Sequence, residues 1–341
     1  MKVDFEAHFY TRSYLKALLE RDLPPKFEYD SRGRIVLVYP EGFRMARYVD
    51  RFIDFDARVD DMDRAGVNVQ ILSIARPGTD RFDSKYGLKL AMEINDAIAR
   101  ISEKYEDRFL GLASLPKDPE MAVEEMERAI KDLGIVGINL HSNIDGKPLD
   151  ALEFLPIYEK AEQMRIPVFI HPTLPVVSEA VKDYGLWGAA LGYTFDGALA
   201  ALRLILSGVL DTYPSLKVVL PHLGETLPYL FKRIDSAGST IRKKGPASAR
   251  LGGGLEPKNS MLPSQYLLRN FYVDSAGILH SHAFICAYNT LGAERILFAT
   301  DYPFEDMEEA SQFIENLEIP EKDKKKIFYR NFENLTGKKL H

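Results

Sequence analysis

The sequence predicts an α/β fold, a TIM-like (β/α)8 barrel with a small hairpin-like insertion after its first strand, and three observations carry that expectation. Eight short runs rich in β-branched and apolar residues recur along the chain, and patterns able to bury one helical face lie between them. The length, 341 residues, suffices for one large barrel or for two ordinary domains. A doubly wound open sheet is the structural alternative, since it is built from the same alternation.

The expected strands span 3–8, 68–74, 108–114, 135–141, 166–171, 216–222, 270–275 and 295–301. Between them, 57–66, 88–105, 119–134 and 149–164 repeat apolar residues at helical spacing. Pro119 suits a first helical position, where no backbone N–H is needed, and Gly134 suits a helix stop. Two stretches break the cycle. Residues 24–50 hold two short alternating runs around Ser31, Arg32 and Gly33, which reads as a hairpin-like insertion able to cover the barrel mouth. Residues 237–265 mix Gly, Pro, Ser and basic residues without helical period, which reads as a mobile loop ahead of strand seven. The run Gly252, Gly253, Gly254 lacks the spacing of a phosphate-binding loop. Residues 1–341 are therefore expected to form a single barrel domain.

Composition narrows the function. Apolar residues at 46% and charged residues at 28% are ordinary for a globular chain. A formal charge of -6 gives no electrostatic reason to hold nucleic acid. No segment reaches the roughly 18 apolar residues that span a bilayer, and the acids within the first apolar run do not fit a signal peptide. Cys286 is the only cysteine, which excludes an intrachain disulfide and a cysteine zinc cluster, and a cytoplasmic address is expected.

A parallel barrel gathers the C-terminal ends of its strands at one mouth, so polar residues at those ends meet although far apart in sequence. Glu6 and His8 end strand one, His141 strand four, His171 strand five, His222 strand six, Ser275 strand seven and Asp301 strand eight. Glu6, His8, His171 and Asp301 make a mixed nitrogen and oxygen set suited to one divalent ion, zinc or manganese, with room for water or substrate. Each alone has a plain structural reading, a histidine satisfying a backbone group or an aspartate capping a turn. Four such residues at one rim point to a site. His222 is expected to handle a proton, with Glu225 three residues on to orient it or bind a substrate hydroxyl. An acid in the first turn of a helix would also explain Glu225. Arg58, Arg76 and Arg233 are candidates to pair with an anionic substrate, and Trp187, Phe195 and Phe304 to wall an aromatic pocket. Salt bridges and ordinary core packing are the competing readings for these six.

Several stretches together resemble a known family: FEAHF at the start, MDRAGVNVQILS at 62–73, FIHP at 169–172, LPHLGE at 220–225, NFYVDSAG at 270–277, FATDYPFED at 298–306 and FYRNFENLTG at 328–337. They are similar, in order and along nearly the entire chain, to the amidohydrolase-related nonoxidative decarboxylases, whose members act on dihydroxybenzoates, salicylates and aminocarboxymuconate semialdehyde. Glu6 stands where most amidohydrolases of this type have the first histidine of a His-x-His pair, a form that resembles the hydroxybenzoate branch. EAHF replaces the EEHF frequent in that branch, and the 24–50 insertion is longer than in the simplest members.

The resemblance implies a metal-dependent decarboxylase of an ortho-hydroxylated aromatic carboxylate. It implies Glu6, His8, His171 and Asp301 as metal ligands, Asp301 as the proton donor to the ring carbon, and His222 with Glu225 as a second catalytic pair. One divalent ion, no organic cofactor, a small aromatic acid as partner and a homodimer or homotetramer go with it. Two alternatives stand beside it: a metal-dependent hydrolase or hydratase of a lactone, amide or related ring-cleavage product, and a metal-binding protein without catalysis.

Overall fold

Eight strands are buried on both faces, one against the barrel interior and one against a layer of helices. Along each strand the side chains divide by parity. They are β1 (Val3–Phe9), β2 (Val69–Ile74), β3 (Phe109–Ser114), β4 (Gly137–His141), β5 (Pro167–His171), β6 (Lys217–Leu220), β7 (Phe271–Asp274) and β8 (Ile296–Leu297). All neighbouring pairs are parallel and follow chain order from β1 to β8. Backbone bonds from the β1 edge close the ring: the Phe5 amide donates to Phe298 O (2.9 Å) and the His8 amide to Tyr302 O (2.7 Å). This is the expected TIM-like barrel. The computed structural model describes residues 1–40, 44–106, 108–173, 183–237 and 256–340.

One cluster, with Val3, Phe5, Ile71, Leu112, Phe169 and Val219 among its members, fills the barrel interior. Phe332 and Leu335 of the last helix, Asn331–Thr336, join it. The larger cluster lies between strands and helices. The four helices foreseen by spacing form as Phe55–Ala65, Ser84–Lys104, Pro119–Leu133 and Leu155–Met164. Pro119 opens its helix beneath an Asp118 cap that accepts from Glu120 N and Met121 N, and Gly134 closes it with φ at 69°.

β1 departs from simple alternation. Its register against β2 shifts between Asp4 and Ala7, so two residues, Phe5 and Glu6, oppose Ile71 alone. This bulge lets Val3 and Phe5 fill the interior below while Glu6 and His8 still reach the mouth above. In an unbulged strand the carboxylate and imidazole would share the parity of Asp4, which instead bonds Gln70 and Thr300 behind the barrel wall.

The insertion at 24–50 has three antiparallel strands, Lys26–Tyr29, Ile35–Val38 and Arg44–Arg47, one more than the expected hairpin. Gly33, with φ at 72°, makes the first turn. Just past its second strand, Tyr39 is buried with its ring 6.2 Å from that of Trp187, which ties the insertion to the rim of the mouth. Of the expected mobile loop at 237–265, residues 238–255 lie outside the described residues. Its end differs from expectation: Pro263 starts the helix Pro263–Asn270, because proline fits a first helical position and Gln265 bonds back to the Leu262 amide. Among the described residues no helix is long and apolar enough to cross a membrane.

Candidate active site

Parity carries the barrel interior up to the mouth. In β5, Phe169 lies in the interior cluster and His171 follows two residues later. Along the β8 segment, Leu297 and Ala299 lie in that cluster and Asp301 comes next on the same face. One ligand atom from each of Glu6, His8 and His171 falls within 4.8 Å of the others. Asp301 joins through His8, its Oδ1 lying 3.0 Å from His8 Nε2. The Asp301 amide donates to Glu6 O (2.9 Å), so the two carboxylates sit on hydrogen-bonded neighbouring backbones.

The donor atoms of this cluster suit a divalent cation. Both Glu6 carboxylate oxygens and His8 Nε2 are buried without a hydrogen-bond partner among the described residues, which is costly for a carboxylate unless a cation meets it. His171 Nδ1 donates to Pro172 O (2.7 Å), leaving Nε2 to face Glu6. Burial, then the positive fields of His8, Arg76 and His141, push His171 well down, so its ring is the neutral form a cation needs. Burial also opposes charge on His8, but Asp301 and Glu6 outweigh it and hold its pKa up at about 9. Those carboxylates demand a positive charge at this point, and a divalent ion answers that demand in place of a proton.

On the far side of the mouth, regular structure stops at Leu220, and His222, Leu223, Gly224 and Glu225 all have positive φ, from 52° to 78°. Glu225 is therefore not in the first turn of a helix as one reading had it. It precedes the helix Leu227–Ala237, with φ at 59°, and its side chain is turned inward and fully buried. Glu225 Oε1 lies 3.1 Å from His222 Nδ1. Burial pulls His222 down, but Glu225 above all, then Glu6 and Asp301, raise its pKa to about 10. Its Nδ1–H is committed to Glu225, and its other edge faces the cavity.

A cavity of about 200 Å³ opens between these groups, lined by Glu6, His171, Asp301 and His222. Tyr193, Ile278 and Phe304 give it apolar walls, and Arg76 a cation. The Arg76 guanidinium lies 4.1 Å from the centre of the Tyr193 ring and 5.7 Å from that of Phe304, and it forms no ion pair among the described residues.

Four expected pocket residues lie elsewhere. Arg58 is fully buried behind β1, donating to His8 O, Arg51 O and Gln70 Oε1, because it shares the inner helix face with Met62 and Ala65. Arg233 is exposed on its helix. Trp187 packs one layer back, between Tyr39 and Tyr193, and Phe195 points outward, 54% exposed. His141 faces inward beside His171, with ring centres 5.6 Å apart and Nδ1 3.5 Å from Asp80 Oδ1.

The sequence reading missed Asp274. It named Ser275, but Tyr272 is the β7 residue that packs against the interior cluster, and parity then puts Asp274 at the mouth. Asp274 Oδ1 accepts from the His222 and Ala276 amides, and Oδ2 is buried without a partner among the described residues. Burial first, then the charge of Glu6, push its carboxyl well up. Gly197 was missed as well: a Cβ there would meet Glu225 Oε1 at 2.8 Å.

Known proteins share this arrangement of chain. The amidohydrolase family pattern matches residues 3–335. A gamma-resorcylate decarboxylase of Polaromonas sp. (strain JS666) is 36% identical over 299 residues, 84% of this chain and 88% of the relative. The crystal structure of 5-carboxyvanillate decarboxylase LigW from Sphingomonas paucimobilis superposes with a TM-score of 0.86 at 30% identity, over 99% of both chains. That of a dihydroxybenzoic acid decarboxylase from Polaromonas sp. JS666, with bound manganese and the inhibitor 2-nitroresorcinol, gives 0.82 at 32% identity over 98% of this chain and 96% of the other. With its family pattern running from the first strand into the final helix, the chain belongs to the amidohydrolase family, within the group of amidohydrolase-related decarboxylases.

Proposed function

We propose that the protein removes CO2, without oxidation, from an ortho-hydroxylated aromatic carboxylate such as a dihydroxybenzoate. The observation that carries this reading is the unpaired Arg76 guanidinium in the same small cavity as the Glu6, His8, His171 and Asp301 cluster. The cavity volume, about 200 Å³, suits a single-ring acid; drug-sized pockets start at roughly 300 Å³.

Glu6, His8, His171 and Asp301 are the residues that would hold one divalent ion, manganese or zinc. Bound there, such an ion would draw negative charge onto the phenolic oxygen and enrich the ring in electrons. Arg76 anchors the carboxylate through paired donors. Tyr193, Ile278 and Phe304 sandwich the ring and exclude water. Asp301 takes up the proton that the ortho hydroxyl gives up on binding and delivers it to the carboxyl-bearing carbon, and C–C cleavage then restores aromaticity as CO2 leaves. His222, kept as imidazolium by Glu225, donates to a ring hydroxyl and steadies the dearomatised state more than the ground state. No organic cofactor enters this chemistry. A homodimer or homotetramer, part of the same reading, would cover the exposed Leu191, Phe195 and Leu199 on and beside the helix Gly192–Leu206. The lone cysteine supports a cytoplasmic setting.

The test is metal-stripped protein, restored with manganese or with zinc, given a panel of ortho-hydroxybenzoates while CO2 and the ring product are followed by mass spectrometry. Metal-dependent CO2 matched by an equal amount of phenol is the expected result. Metal bound with no CO2 from any acid would overturn the reading in favour of hydrolysis or hydration, and a lactone panel would follow.

A further inference from the structure

The charges around the cavity do not balance within the chemistry above. Glu6 and Asp301 are matched by a divalent ion, and Arg76 is matched by the carboxylate of the substrate. Glu305 remains. It lines the same cavity, four residues beyond Asp301, on the turn that also carries Phe304. Among the described residues no side chain donates to its carboxylate and no cation pairs with it. It stands at the rim, exposed to solvent on one side and to the cavity on the other.

The plain reading of such a residue is a solvated surface acid, and two features argue against it. Surface acids along this chain commonly sit beside a lysine or arginine, as Glu28 does with Arg44 and Glu127 with Lys131. Glu305 instead stands beside a carboxylate residue: its amide lies 3.4 Å from Asp301 O, and both residues line the same cavity. The second feature is position. Arg76 and Glu305 both line a cavity of about 200 Å³ that a single ring would fill, so a ring held by Arg76 presents its other substituents to the rim. A hydroxyl or amino group there gains a charge-assisted hydrogen bond. A second carboxylate meets like charge with little water between.

We propose that Glu305 is a specificity-determining residue that selects aromatic acids carrying a hydrogen-bond donor as their further ring substituent and rejects dicarboxylates. This rests on the reading of the cavity as a site for ortho-hydroxylated aryl acids. It goes further by fixing the class of the second substituent.

Matched acids test it. At one ring position the pair is 2,3-dihydroxybenzoate against 2-hydroxyisophthalate; at another it is 2,5-dihydroxybenzoate against 4-hydroxyisophthalate. Manganese-loaded wild-type protein, Glu305→Gln and Glu305→Arg are titrated calorimetrically with each acid, and CO2 is followed on the same samples. In at least one pair the wild type should bind the hydroxyl member about tenfold more tightly or better, from like-charge repulsion at this range. Glu305→Gln should shrink that preference to within roughly threefold and Glu305→Arg should reverse it. An unchanged preference in both variants overturns the proposal, even if CO2 is released. A preference that shifts as expected without CO2 from any acid upholds the selection by Glu305 while refuting decarboxylation. No binding of any acid by any of the three proteins overturns both.

Discussion

The two sides of the cavity are held by different kinds of backbone. Glu6, His8 and His171 stand on extended strands, Glu6 within the β1 bulge, and β1 is sewn to the β8 segment by amide-to-carbonyl hydrogen bonds of 2.7 and 2.9 Å. On this side only Asp301, at φ 58°, leaves the extended region. Opposite, His222 and Glu225 stand in four successive residues of positive φ, three of them not glycine. Each of those three costs on the order of 1–3 kcal/mol relative to a relaxed turn. That turn is held by what surrounds it: Asp274 accepts the His222 amide, and Gly197 leaves room for the Glu225 carboxylate. The placement of the proposed ligands follows from strand pitch and is stiff, whereas the proposed proton-handling pair sits where its neighbours keep it. Damage should differ accordingly, in kind on the strand side and in placement on the turn side.

The largest effect is expected from Glu6→Ala, which removes a proposed ligand whose backbone is fixed. Bound manganese, read by elemental analysis after desalting, should fall together with turnover, by about a thousandfold or more, since several kcal/mol of transition-state stabilisation go with the ion. Full activity with full metal would break the contrast on the strand side. His222→Asn should retain metal and lose roughly 10²–10⁴-fold in kcat, the usual contribution of a positioned proton donor; an unchanged rate would remove His222 from the chemistry. Glu225→Gln sharpens the same point through pH. With the carboxylate charge gone, burial wins, the His222 pKa falls from about 10, and the imidazolium is lost at lower pH. The alkaline fall in kcat/KM should therefore move to lower pH, and a stationary limb would count against the pair. The smallest effect is expected from Gly197→Ala, where the new methyl crowds Glu225 Oε1. A loss of about 10–100-fold in kcat with metal occupancy intact is expected from a small misplacement.

The same contrast explains what could be read beforehand. Short runs of β-branched and apolar residues announced the strands, and their C-terminal ends announced Glu6, His8, His171 and Asp301, because a barrel turns sequence parity into a shared direction. The β1 bulge was invisible, since no residue type marks an inserted position in VDFEAHF. Asp274 was within reach: counting by twos from Tyr272 leads to it, and an error of one residue led to Ser275. Arg58 was misassigned although it shares the apolar face of its helix with Met62 and Ala65, a spacing that already placed it inside. Tyr193, Ile278 and Gly197 were out of reach, because their nearness to the site comes from connections whose path no local pattern fixes.

The closure of the ring has a consequence for how the protein is made. Asp4 bonds Thr300 across 296 positions, and Glu6 bonds Asp301 through the adjoining backbone. A chain emerging from the ribosome N-terminus first, at roughly 5–20 residues per second, presents Glu6 and His8 many seconds before Asp301 appears. During that interval β1 lacks its neighbour on one edge and the cluster of Glu6, His8 and His171 lacks Asp301. The nascent chain therefore lacks the complete cluster, and on the proposed metal reading the choice of ion falls to the closed barrel.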